Sequence, residues 1–139
     1  MKGAVECIGT ATARIERKAP GTLEMHYTER ARFDPASCQE NFRARQRLGK
    51  AGAYTLLVTL PEGSVVDADA TNVDHFRTES TLRSIIALAV VASRAELRSI
   101  AKFYLRYFSQ SFPARVFDDV EEARAWLNEV LANVDRQPK

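Results

Sequence analysis

The sequence predicts an α/β domain: a mixed, largely parallel sheet with helices packed on it and an antiparallel β-hairpin at the N-terminal end. Three observations carry this. Residues Ile85 to Ala92 form an uninterrupted apolar octet rich in Ile and Val, the pattern of a strand covered on both faces in a parallel sheet. From Asp34 onward, strand-like and helix-like segments alternate, which is the order of a sheet wound with crossover helices. On either side of Pro20-Gly21, polar and apolar residues alternate with period two, as in a half-buried hairpin. The chain has 139 residues, of which 45% are hydrophobic and 27% charged. That length suits one domain, placed at residues 1–132, with a polar tail at 133–139 expected to fray.

Taken in order, residues 4–18 alternate loosely and read as one weak strand. Pro20-Gly21 is a turn. From Thr22 to Thr28, Leu23, Met25 and Tyr27 face one way, and Glu24, His26 and Thr28 the other. Asp34-Pro35 starts a helix, because Asp caps free N–H groups and Pro fits the first helical position. This helix runs to Leu48 and stops at Gly49, with Arg43, Arg45 and Arg47 on its exposed side and Lys50 just beyond. Cations there complement the helix dipole, and an anion site is the alternative. Ala53 to Leu60 is a strand ended by Pro61-Glu62-Gly63. Asp67 or Asp69 caps a helix through Glu79. After the octet, residues 94–109 form an amphipathic helix with Leu97, Ile100, Ala101, Tyr104, Leu105 and Phe108 on its apolar face. Phe112-Pro113 breaks it, and Ala114 to Phe117 is a short strand. Asp118, with Glu121 in capping-box spacing, opens a last helix whose apolar face holds Ala123, Trp126, Leu127, Val130 and Leu131.

The 20 Lys and Arg residues nearly balance the 18 Asp and Glu. A nucleic-acid binder concentrates a stronger basic excess on one face, so nucleic acid is not an expected partner. Cys7 and Cys38 are the only cysteines, too few for a disulfide framework or a thiolate metal site. Cys38 reads as a small buried apolar residue. No stretch approaches the ~20 apolar residues of a membrane span, nor does the N-terminal stretch hold a long apolar leader core. The expected setting is the cytoplasm, without integral membrane association. His26 reads as solvent-facing and His75 as the local partner of Asp74; neither has companions at metal-ligand spacing. With no nucleophile elbow, phosphate loop or dinucleotide fingerprint either, no catalytic residue, metal or cofactor is expected.

The stretch Phe112-Pro113-Ala114-Arg115-Val116-Phe117 through Glu121-Glu122-Ala123-Arg124-Ala125-Trp126-Leu127, preceded by the octet and by the helix carrying Phe103, resembles the bacterial SpoIIAA-like, or STAS/SEC14-like, proteins. The resemblance implies a four- or five-stranded mixed sheet with helices packed on it. It also implies a non-enzymatic docking role, in some members switched by phosphorylation of a Ser or Thr that opens a helix after a central strand. The matching loop here runs from Leu60 to Thr71 and lacks the usual Asp-Ser-Ser-Gly-like motif. Its hydroxyls are Ser64 and Thr71, and Glu62, Asp67 and Asp69 would repel a phosphate. Ser64, Asp67 and Asp69 form the candidate loop site.

The sharpest candidate surface is the stripe Arg98, Lys102 and Arg106, four residues apart, edged by Phe103 and Tyr107. It reads either as a docking face for a partner or lipid surface or as a solvated helix face. The expected function is a protein-interaction or regulatory module that binds a protein partner or a second copy of itself. One alternative is a small apolar-ligand or lipid carrier with a cavity lined by residues such as Phe103, Phe108 and Phe112. The second alternative is an enzyme of undescribed type, hinted at by the acidic loop at 62–69.

Overall fold

The computed structural model describes residues 6–49 and 52–136, and its framework is a six-stranded sheet. The chain begins with β1 (Glu6–Gly9), β2 (Ala13–Ala19) and β3 (Thr22–Tyr27), followed by β4 (Arg32–Phe33) and helix α1 (Pro35–Leu48). Next come β5 (Tyr54–Leu60), β6 (Val65–Val66), α2 (Ala68–Thr71), α3 (Arg77–Leu82) and β7 (Ile85–Ala92). The chain closes with α4 (Ala95–Tyr107), β8 (Ala114–Phe117) and α5 (Val120–Arg136). The main sheet has the order β1-β2-β3-β5-β7-β8. Its first two pairings are antiparallel, and β3, β5, β7 and β8 run parallel. The α/β class and the mixed, mostly parallel sheet are thus as expected, with one strand more.

The extra strand comes from residues 4–18, which divide into β1 and β2. The Thr10 hydroxyl accepts from the Thr12 and Ala13 amides, and the Thr10 amide donates to the Ala13 carbonyl at 2.8 Å, folding the chain back where a single strand was expected. A second sheet, also unforeseen, pairs β4 with β6 in two residues each. The Pro20-Gly21 turn forms as expected, with Gly21 at φ +78°, a conformation that suits glycine.

Strand β7 shows why the octet carries no polar residue. Leu88 and Val90 face the core beneath α1 and α4, while Ala87, Ala89 and Val91 face α5. The small Ala87 and Ala89 let α5 approach closely, and Ala123 and Leu127 of that helix are buried there. On the opposite face the larger core joins Ile15, Leu23, Met25 and Leu56 to Ala44 and Leu48 of α1 and to Phe112. The central strand is therefore shielded by helices on both faces.

Helix α1 starts and stops where the sequence places it. Asp34 and Ser37 form a reciprocal capping box, with the Asp34 carboxylate accepting from the Ser37 amide at 2.8 Å. A Cβ at Gly49 would run into the Tyr54 ring, so glycine is required at the point where the helix must end. The last helix is capped one residue later than expected: the Asp119 carboxylate accepts from the Glu122 amide at 3.0 Å. It continues to Arg136, into the stretch expected to fray; the rest of that tail lies outside the described residues. Trp126 is partly buried, with its ring 5.8 Å from that of Phe117. The Arg115 guanidinium covers both rings.

The expected helix through residues 67–79 is instead two short helices joined by an irregular turn. Here the backbone finds partners other than its own helical carbonyls. The His75 amide donates to the Tyr104 hydroxyl at 2.9 Å, that hydroxyl donates to the Val73 carbonyl at 2.6 Å, and Asp74 accepts from the Phe76 amide. Tyr104 belongs to α4, so a tertiary contact overrides local helical preference.

Candidate ligand cavity

A cavity of about 120 Å³ lies at the carboxyl ends of β3, β5 and β7, between α1 and α4. Ligands of open α/β sheets bind at this end. Met25, Tyr27, Val58, Leu60 and Val90 form its floor, because alternate residues of the strands face the same way. Leu97, Ile100, Ala101, Tyr104 and Leu105 supply one wall, at the helical spacing read from the sequence. Val66, Ala70 and Thr71 close the outer side. Val66, Thr71, Ile100 and Tyr104 also line an adjoining surface groove of about 630 Å³, whose outer rim carries Phe103 and Tyr107.

One charged side chain reaches the cavity. Arg45 sits on the inner face of α1 at 2% exposure, not on the exposed side where the sequence reading put it. Its Nε and Nη2 donate to the two carboxylate oxygens of Glu79 at 2.9 and 2.7 Å, and Glu79 is fully buried. The Tyr54 hydroxyl donates to the same carboxylate at 2.6 Å. The guanidinium also lies over the Phe76 ring at 5.0 Å. Burial opposes the charge on Arg45, but Glu79 outweighs it and holds the guanidinium protonated. Burial and the neighbouring carboxylate both push the Tyr54 phenol well above its ordinary value.

Around this pair the titratable lining groups are held neutral. Burial raises the Cys38 thiol to about 11 and the Tyr27 phenol to about 12. Burial lowers His75, whose Nε2 lies 2.7 Å from the Ala70 carbonyl. That contact makes Nε2 the protonated nitrogen, and His75 forms no ion pair with Asp74.

The expected site residues separate into several roles. Phe103 and Tyr107 are 67% and 71% exposed and stack on each other at 6.4 Å. Lys102 and Arg106 flank them in solvent. Arg98 does not belong to a free stripe: its Nη1 donates to the Ala92 and Ser93 carbonyls at 2.9 and 2.8 Å, tying α4 to the end of β7. Asp67 lines the groove and pairs with Arg32 at 2.9 Å. Asp69 lies exposed in the first turn of α2. Ser64 is buried, with its hydroxyl donating to the Pro61 carbonyl at 2.8 Å, out of reach of a modifying enzyme. Phe103, Phe108 and Phe112 do not line the cavity; Phe112 is part of the core. Replacing Lys102 and Arg106 by Glu is expected to leave stability within about 0.5 kcal/mol. Adding Arg98→Glu is expected to cost a further 1 kcal/mol or so, because two carbonyls lose their donor. Urea unfolding of the two variants separates these outcomes.

On the opposite face of the sheet, sequence reasoning missed a charge network. Glu16 and Glu24 are direct cross-strand partners on β2 and β3, a repulsive placement unless cations answer it. Arg14 and Lys18 pair with Glu16 at 2.7 and 3.4 Å. Arg124 of α5 grips Glu24 through Nε and Nη2 at 3.0 and 3.1 Å, and His26 Nε2 lies 2.9 Å from it. His26 is thus half-buried, with its Nδ1 2.8 Å from the Thr59 hydroxyl. Glu16, Glu24 and His26 place one ligand atom each within 4.8 Å of one another. Both carboxylates already have cationic partners, so this arrangement serves charge balance.

The fold and cavity define a small mixed α/β domain with an apolar pocket at the carboxyl ends of its strands. The chain belongs to the family described as domain of unknown function DUF7793, whose model matches residues 17–131. No curated protein and no solved structure matches it. Among the described residues, no helix is long and apolar enough to cross a membrane.

Proposed function

We propose that the protein binds a small, largely apolar ligand between its sheet and α4, and that its role is binding and not catalysis. The observation that carries this reading is the cavity itself. At about 120 Å³ it compares with engineered cavities of roughly 150 Å³ that stay dry and take up benzene. It opens toward a groove with two aromatic rings on its rim, so a longer ligand has a route outward. The support for the expected apolar-ligand alternative is this cavity, and not Phe103, Phe108 and Phe112.

The test is a titration of the ¹⁵N-labelled protein with toluene, followed by amide shifts. Saturable shifts confined to residues around Val58, Val90 and Ala101 are expected. Ala101→Leu, which fills the space from its α4 wall, is expected to weaken binding by about tenfold or more while leaving the circular dichroism spectrum unchanged. Absence of saturable shifts in the wild-type protein would refute the reading.

A second reading, docking of a protein partner or a second copy, rests on the exposed Phe103–Tyr107 stack with Lys102 and Arg106 beside it. Large exposed aromatics side by side are an interaction signature. Light scattering at rising concentration, with Phe103→Ser and Tyr107→Ser as controls, tests self-association. Kinship with SpoIIAA-like proteins is likewise proposed; its support is the mixed sheet and the strand–helix alternation after β3. The two free cysteines fit the reducing cytoplasm expected for such a protein.

A further inference from the structure

We infer that the occupant of the cavity carries one uncharged hydrogen-bond acceptor, a carbonyl oxygen or its equivalent, at its buried end, seated against Nη1 of Arg45. This inference rests on the ligand-binding reading above. The guanidinium has five N–H donors in a fixed plane. Glu79 takes Nε and Nη2, and the His75 carbonyl shares Nη2 at 3.3 Å. Nη1 is left with the Met25 sulfur at 3.8 Å, and a thioether is a weak acceptor. Arg45 and Met25 both line the cavity, and Arg45 is 2% exposed. A strong donor is therefore held ready against an otherwise apolar space.

Charge balance decides what kind of acceptor fits. The positive charge of Arg45 is already answered by the Glu79 carboxylate. Among the described residues that line the cavity, Arg45 is the only lysine, arginine, aspartate or glutamate. His75, Cys38 and Tyr27 are held neutral, as described above. A ligand carboxylate would enter as an unpaired buried charge, and an ammonium would meet the guanidinium directly; both are strongly disfavoured. A neutral oxygen gains the Nη1 hydrogen bond without either cost. Size confines the buried part to about one six-membered ring.

The experiment titrates the full chain with four ring compounds of similar shape: cyclohexanone, methylenecyclohexane, cyclohexanecarboxylate and cyclohexylamine. Each is also titrated into the double variant Arg45→Met/Glu79→Leu, which removes the donor without leaving a lone charge. The ratio of the cyclohexanone Kd to the methylenecyclohexane Kd is expected to rise by about tenfold in the double variant, the worth of one hydrogen bond to a charged group. In the wild-type protein, the Arg45 guanidinium NMR signals are expected to move with cyclohexanone and not with methylenecyclohexane, a readout that does not depend on the variant folding. An unchanged ratio, unmoved guanidinium signals, or tightest binding by the carboxylate or amine overturns the inference while the cavity reading stands. If none of the four binds, the cavity reading itself fails.

Discussion

Glu79→Leu is expected to destabilise the fold by about 3–5 kcal/mol, the largest effect of any single substitution considered for this chain. The loss has two sources. Arg45, at 2% exposure, keeps a charge that burial opposes and that Glu79 chiefly offsets. The Tyr54 hydroxyl, 2.6 Å from the same carboxylate, loses its acceptor as well. Arg45→Met should cost less, because the Glu79 carboxylate keeps the Tyr54 donor. The double variant Arg45→Met/Glu79→Leu should recover most of the loss, since well-packed apolar residues often replace a buried ion pair at no net cost. Urea unfolding of all four proteins measures the coupling directly. Additive single effects, with the double variant the least stable, would show that the two side chains do not act as a pair.

The same pair marks the limit of what the sequence discloses. Octet, turn and first helix are legible because each is written locally: eight apolar residues in a row, Pro20-Gly21 between two alternating runs, Asp34-Pro35 and Gly49 at the helix ends. Position 45 also carries a local signal, since Cys38, Asn41, Arg45 and Leu48 recur at helical spacing and all are buried. Yet an arginine reads as solvent-facing by its charge, whatever stripe it lies on. The answering carboxylate lies 34 residues away, in a segment whose helix breaks because Tyr104 captures its backbone, and no local pattern announces either fact. The cavity is harder still. It is a shortfall of packing among β3, β5, β7, α1 and α4, and periodicity reports which residues face inward without reporting whether they meet. Phe103, Phe108 and Phe112 fit such a cavity by residue type, but its α4 wall is made by Leu97, Ile100, Ala101, Tyr104 and Leu105. Cross-strand register was equally hidden: Glu16 faces Glu24 only once the Pro20-Gly21 hairpin and its irregularity between Arg17 and Ala19 are fixed.

Glu24→Gln is expected to flatten the acid limb of the stability curve. Burial pushes the Glu24 carboxyl up, but the hydrogen bonds from His26 and Arg124, together with their charges, more than cancel this and hold it at about 2, against an ordinary value of 4.5. A carboxyl whose value is lower in the folded than in the unfolded chain binds protons preferentially when unfolded. Its contribution is therefore complete above 4.5 and is lost as the pH falls toward 2. With solvent reaching one side of Arg124, that contribution is about 2–3 kcal/mol. The stability difference between wild-type protein and Glu24→Gln should thus be nearly constant from pH 7 to pH 5 and then shrink by that amount by pH 2. Comparing the two proteins cancels the carboxylates they share that lie far from Glu24. Arg124→Leu provides the complementary check: it removes the grip from α5 and should move the acid transition to higher pH, because Glu24 then loses the guanidinium and keeps the His26 contact. Parallel acid profiles for wild type and Glu24→Gln would mean that Arg124 and His26 do not hold the carboxylate charged, and that the join between α5 and the hairpin is made by packing alone.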